Sequence, residues 1–278
     1  MNRRVERVVE SHVAPVGSFS VRRALPDRER HSVGPWVFLD HFGPYRARPG
    51  EDGVGAHPHA GIETVTYLLE GRNEHRDSAG NHGVVGAGGA QWMTAGRGVV
   101  HSEHPLDTVQ HGIQLWTSLP RAKKSMAPRY QRIDSAAIPS TPRDGATVRV
   151  IAGELDGARG PAQTLMPLFL FHATLPPGAR LEVPIPADAE AAAYVIEGEG
   201  RFGEVDAVAA KQGQLVLWEG GDGGLDAANA GSTNLEILLL GGAPAEGPLV
   251  FHGPFVMNTV EQVRAAEIAF RTGQMGHL

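Results

Sequence analysis

Apolar runs of strand length recur along the chain, separated by clusters of Gly, Pro, Asp and Asn. The clearest are "WVFLDHFG", "ETVTYLLEG", "AQWMTAG", "GIQLWTSLP", "TVRVIAGEL", "PLFLFHATL", "AYVIEGEG", "QLVLWEGG" and "NLEILLLGG". Each is bounded by turn-forming residues, a pattern that predicts β-strands. Many short strands with Gly-rich turns predict an all-β sandwich or barrel rather than alternating β/α units. One helical pattern closes the chain, in "NTVEQVRAAEIAFRTGQMG". There Thr259 and Gln262 are spaced as a capping box, Val263, Ala266 and Phe270 share a face, and Gly273 marks the exit.

The strand pattern occurs twice. "YLLEGRNEHRDSAGNHGVVGAGGAQWMTAG" and "YVIEGEGRFGEVDAVAAKQGQLVLWEGG" share an order: an apolar strand ending in Glu-Gly, a polar hairpin, a Gly step and a second apolar strand. Such self-similarity predicts two related β domains in tandem. The Pro-, Ser- and Ala-rich stretch around 133–146 reads as their junction. The expected division is residues 1–134, a linker at 135–146, and residues 147–278.

Composition narrows the function. The chain has 278 residues, 41% hydrophobic and 20% charged, enough for a sizeable core. A net charge of −6 gives no support to direct nucleic-acid binding. The cationic stretch "RAKKSMAPRYQR" (121–132) reads as a solvated connection. With no cysteine, disulfides and thiolate metal sites are excluded, so any metal must be held by imidazole and carboxylate. The charged N-terminus has no apolar signal core and no aliphatic run approaches a membrane span, so the expectation is a cytoplasmic protein.

Two segments carry chemistry. In "AHPHAGIETVTYLLEG", His57 and His59 are two apart on a strand-like stretch and project to one side. Glu63 has the same parity, although Gly61 permits a bulge between them. In "AGRGVVHSEHP", His101 and Glu103 repeat the spacing, and a Gly96-x-Gly98 turn precedes them. Inward positions alternate along every barrel strand, so a hairpin could bring the two pairs together around one metal ion. His104 has the wrong parity to join them. His75, His82 and His111 read as solvated turn residues, His41 as structural, and His172 and His252 as isolated packed or surface groups.

These segments resemble the two metal motifs of the cupin superfamily, and the chain is identified as a member of the pirin family. The resemblance rests on "PWVFLDHFGP", "HPHAGIETVTYLLEG", "MTAGRGVVHSEHP", "GIQLWTSLPRAKKSMAPRYQ" and "GPFVMNTVEQVRAAEIAFRTGQMG". It implies a bicupin, two β-sandwich barrels with a short C-terminal helix. One divalent metal is implied in the N-terminal barrel, with His57, His59, His101 and Glu103 as ligands. No metal is expected in the C-terminal barrel. Fe(II) is the first choice of ion, with Mn, Ni, Cu, Zn or Co as alternatives. Many relatives carry a basic residue at the position of Ala60 and an aromatic one at Ile62, so the pocket here is expected to differ.

The resemblance further implies a dioxygenase of the quercetin 2,3-dioxygenase type, acting on a flavonol-like enolate and O2, with Glu103 as general base. Glu63 is a candidate supporting residue, and Met93, Gln114 and Trp116 are candidate wall residues. The alternative it implies is an iron-dependent regulatory protein that binds a transcription factor or metabolic enzyme without turnover.

Overall fold

The computed structural model describes residues 2–48, 50 and 53–278, and it is mostly β with one short C-terminal α-helix. The predicted strands form two copies of one arrangement, each a seven-stranded sheet paired with a four-stranded one. In the first copy the large sheet runs in the order Arg129–Ile133, Ala90–Thr94, Ile62–Glu70, Val109–Ser118, Trp36–Arg46, Phe19–Leu25, His12–Val16. Its small sheet runs Val54–His59, Val99–Pro105, Arg72–Asp77, His82–Gly86.

The second copy repeats this order strand for strand. Its large sheet is Val5–Glu10, Gln214–Trp218, Glu190–Glu197, Leu235–Gly242, Leu168–Leu175, Ala146–Ala152, Ser140–Arg143. Its small sheet is Arg180–Pro184, Gly224–Asn229, Glu199–Phe202, Val208–Lys211. The two Glu-Gly steps of the repeat, Glu70-Gly71 and Glu197-Gly198, fall at the ends of equivalent strands.

The edge strand marks one difference between the copies. Arg129–Ile133 follows its neighbours in sequence, whereas Val5–Glu10 comes from the far end of the chain and pairs antiparallel with Gln214–Trp218. The chain therefore groups as residues 13–21, 37–136 and 245–278 in one compact unit and 1–12, 22–36 and 137–244 in the other. Contiguous blocks of 1–134 and 147–278 differ from this at both termini, because each terminal segment packs with the half distant in sequence. The stretch read as a linker contains the strand Ser140–Arg143, paired with Ala146–Ala152.

The interiors differ in kind. In the second copy Val148, Val150, Phe169, Phe171, Phe202 and Trp218 belong to one buried apolar cluster. The first copy buries His59, Glu63, Thr66, His75, Gln91, His101 and Glu103. Buried polar groups require partners, and those partners define the site described below.

The helix Val260–Arg271 starts as expected, with Thr259 and Gln262 closing a capping box. Val263 and Ala266 are buried against Ala60, Val100, Phe255, Met257 and Met275. Phe270 departs from the expected face: it lies one turn beyond Ala266 and is 41% exposed. Thr259→Ala removes the capping hydroxyl and is expected to lower stability by about 1 kcal/mol, measured by urea unfolding. No helix among the described residues is long and apolar enough to cross a membrane.

Candidate metal centre

Two adjacent antiparallel strands of the small sheet supply three imidazoles. His101 pairs directly with His57, and Val99 with His59, across the strands Val99–Pro105 and Val54–His59. Pro58, between the two histidines, takes the opposite face of the strand, is buried, and pairs with Val100. After His59 the strand ends. Gly61 adopts φ +77, and a Cβ there would lie 2.2 Å from the Val256 carbonyl oxygen, so only glycine fits. Gly98, in the turn before His101, has φ +136 and leaves room for the Met275 side chain.

The three rings converge through the same atom. His57 Nε2 lies 3.1 Å from His59 Nε2 and 2.9 Å from His101 Nε2. The three donor atoms form a group within 4.8 Å of one another. His57 Nδ1 donates to the Gly55 carbonyl at 2.7 Å, and His59 Nδ1 to the Pro254 carbonyl at 3.1 Å. A carbonyl only accepts, so both Nδ1 atoms carry a proton, and in the neutral ring that tautomer leaves Nε2 bare.

Burial favours the neutral rings. His59 is pushed down to about 3 by burial and then by His57, against the opposing bond to Pro254. His101 is pushed well below the ordinary histidine value by burial, then by His57, His59 and His75. Neutral imidazoles with facing lone pairs repel unless a cation lies among them, and they are the form that ligates metals. The donor set therefore fits a divalent metal ion.

Glu103 stands next to this group, not within it. It is 7% exposed, and its carboxylate accepts from Thr66 Oγ1 at 2.5 Å and from Gln114 Nε2 at 3.4 Å. Glu63 is fully buried on the other sheet, accepting from Thr94 Oγ1 at 2.6 Å, with Arg129 Nη2 at 3.7 Å. Parity relates Glu63 to His57 and His59 in sequence, but the Ala60-Gly61 turn moves the chain from one sheet to the other between them. Trp116 sets its ring edge-on to His59 at 4.9 Å and stacks on Phe38 at 4.1 Å. Its Nε1 is buried with no hydrogen-bond partner among the described residues. Met93 is core, packed with Val37, Ile62, Ala95, Val99 and Val256.

Several histidines differ from their sequence reading. His75 is no solvated turn residue: it is 2% exposed, stacks on Tyr130 at 4.4 Å, and sets Nε2 3.1 Å from Asp77 Oδ2. The pair lies on the strand Arg72–Asp77, where His-x-Asp repeats the two-residue spacing of the other pairs. Burial alone would raise the Asp77 carboxyl, but hydrogen bonds from His75 and Asn81 outweigh it and hold the group below its ordinary value. His111 lies within a strand, its Nε2 2.7 Å from that of the buried His41. His82 is exposed and pairs with Glu74, His104 bonds Ser102, and His172 and His252 pair with Glu236 and Glu267.

One cation also departs from expectation. Lys124, within the stretch read as solvated, is 1% exposed. Its Nζ donates to the Gly61 carbonyl at 2.9 Å, the Val256 carbonyl at 2.8 Å and Ser118 Oγ at 3.0 Å. It thus joins the turn after His59 to the C-terminal hairpin strand Phe255–Met257, whose neighbour Pro254 holds His59.

A duplicated two-sheet β fold with a three-imidazole cluster inside one copy defines a two-domain cupin with a candidate metal centre. The pirin family model matches residues 18–117, and the model described as the pirin C-terminal cupin domain matches residues 170–276. The chain is 39% identical over 257 residues to a pirin-like protein of Solanum lycopersicum, covering 92% of this chain and 87% of that one. It belongs to the pirin family. Among solved structures, a quercetin 2,3-dioxygenase from Acinetobacter baumannii is 31% identical, with a TM-score of 0.91 over 99% of each chain. A bacterial pirin from Escherichia coli in complex with nickel(II) shares the fold at 21% identity, with a TM-score of 0.65 over 86% of this chain and 99% of that one.

Proposed function

We propose that this pirin holds one divalent metal ion through His57, His59 and His101, with Glu103 as a fourth ligand or adjacent base, and acts as a flavonol dioxygenase. The observation that carries the reading is the convergence of three imidazole Nε2 atoms, with His57 3.1 Å from His59 and 2.9 Å from His101. Imidazole and carboxylate donors suit first-row divalent ions, with Fe(II) the first choice and Mn, Co, Ni, Cu or Zn as alternatives. Likeness to the Acinetobacter dioxygenase supports the choice of reaction. A flavonol plus dioxygen would give a ring-opened ester and carbon monoxide.

The bound ion would supply Lewis acidity, making the flavonol 3-hydroxyl easier to ionise and bringing the two substrates together. The chain's own residues do the rest. Glu103 accepts the 3-hydroxyl proton on a carboxylate oxygen, and Thr66 and Gln114 keep that carboxylate aimed inward. His59 and Trp116 offer ring edges and faces to a planar aromatic guest.

The test is anaerobic reconstitution with Fe(II) or Mn(II), followed by quercetin and measured oxygen uptake and carbon monoxide release. Turnover well above free metal is expected, and Glu103→Gln should reduce it by on the order of 100-fold or more. Turnover no greater than free metal, with full metal occupancy, overturns the dioxygenase reading. Metal-dependent capture of a defined protein partner would then favour the regulatory alternative.

A further inference from the structure

The dioxygenase reading leaves the buried His75–Asp77 pair without a role. Both side chains are enclosed, at 2% and 0% exposure, on the strand hydrogen-bonded to that of His101. Asp77 lies directly across from His101 in that ladder, and His75 across from Glu103. His75 Nδ1 faces His101 Nδ1 at 3.5 Å, while His75 Nε2 faces Asp77 Oδ2 at 3.1 Å. We propose that Asp77, acting through His75, fixes His101 in the tautomer that leaves its Nε2 bare toward the other two histidines. The two are then positioning residues for the centre, an inference that rests on the metal-site reading.

Donor and acceptor counting carries the argument. Asp77 is an acceptor, so the hydrogen between it and His75 belongs to His75 Nε2. A neutral His75 then presents a bare Nδ1 lone pair. The facing nitrogen of His101 must carry the hydrogen, which leaves His101 Nε2 bare, 2.9 Å from His57 Nε2. Each end of the chain is anchored. Asp77 also accepts from the Ala79 and Asn81 backbone and from Asn81 Nδ2, which fixes its carboxylate. Tyr130 stacks nearly parallel to His75, at 13°, and its hydroxyl donates to Gln91, which fixes the ring plane. His57 and His59 obtain the same tautomer from backbone carbonyls. His101 obtains it from a side-chain chain ending in a carboxylate, an arrangement that raises the basicity of a metal-binding imidazole.

The test uses full-length protein and two readouts. Long-range 15N–1H spectra of the metal-free protein at neutral pH should show His101 protonated at Nδ1. In Asp77→Asn and His75→Leu that single tautomer should become a mixture. Competition with a metallochromic chelator should show Mn(II) or Co(II) held 10- to 100-fold more weakly in both variants. His75→Gln, whose amide oxygen can accept from His101, should recover most of the affinity, and the exposed His82→Ala should change neither readout. Asp77 also shapes its own turn, so the His75 variants keep the test open if Asp77→Asn fails to fold. An unchanged His101 tautomer together with metal affinity within twofold of wild type in His75→Leu overturns the proposal. The tautomer readout needs no metal, so a wild type that binds no ion while His75→Leu still shifts His101 would overturn the metal reading alone.

Discussion

His101→Ala is expected to leave the purified protein without stoichiometric metal, whereas His252→Ala should retain it in full. His101 is 1% exposed and shares its centre with only two other imidazoles. Its loss leaves a His-x-His pair on a single strand and opens the enclosed side of the site. Losing a supporting residue typically costs 10- to 100-fold in metal affinity, and losing a ligand should cost more than that. His252 has the same chemistry without the convergence: it is exposed, and its Nε2 lies 2.9 Å from Glu267 Oε1 at the surface. Elemental analysis of both variants, purified without added metal and then titrated with Mn(II), decides the matter. Full occupancy in His101→Ala would remove the site assignment.

Lys124→Met should destabilise the protein at neutral pH by about 2–4 kcal/mol. The substitution keeps the volume but removes three donated hydrogen bonds, to the Val256 carbonyl, Ser118 Oγ and the Gly61 carbonyl, of which the last keeps the Leu119 N–H; each buried acceptor left unpaired costs about 1–3 kcal/mol. Relief from burying a cation offsets part of that loss. The pH dependence is more diagnostic. Burial pulls Lys124 from 10.5 down to about 8, partly opposed by Glu246. Between these values the unfolded chain keeps a proton that the folded chain has released, so wild-type stability rises with pH across the window. The rise is up to about 3 kcal/mol, and it is absent in the variant. Below pH 8 both states are protonated and the contribution is flat. Urea unfolding at pH 7.5, 9 and 10 should therefore show the gap between wild type and Lys124→Met widening. A gap that narrows would refute the assignment.

The architecture was legible because each strand carries its own alternation and its own turn residues, and because the Glu-Gly steps at 71 and 198 announce the repeat. His57, His59 and His101 were legible for the same reason, since a two-residue spacing on an extended backbone aims side chains to one side. That rule reaches only as far as the strand does. It fails at Glu63, beyond the Gly61 turn, and although His75 and Asp77 share the same two-residue spacing, the Gly80 and Asn81 that follow them read as a solvated turn. Lys124 was illegible in principle. A lysine within a charged run reads as surface, and its partners are main-chain carbonyls, which carry no sequence signal. Pro254, whose carbonyl holds His59, is hidden in the same way. The exchange of terminal segments was equally hidden, because hydrophobic pattern says that a strand is buried and not which sheet receives it.

The last point bears on biosynthesis. The carbonyl that fixes His59 belongs to a residue 195 positions later, in the closing segment of the chain. A nascent chain emerges from the ribosome N-terminus first, so the strands that carry His57, His59 and His101 are made well before residue 254, whose carbonyl holds His59. On the proposed metal reading, a competent centre awaits the synthesis of Pro254, and a product truncated before that residue would carry the histidine motifs without the carbonyl that holds His59.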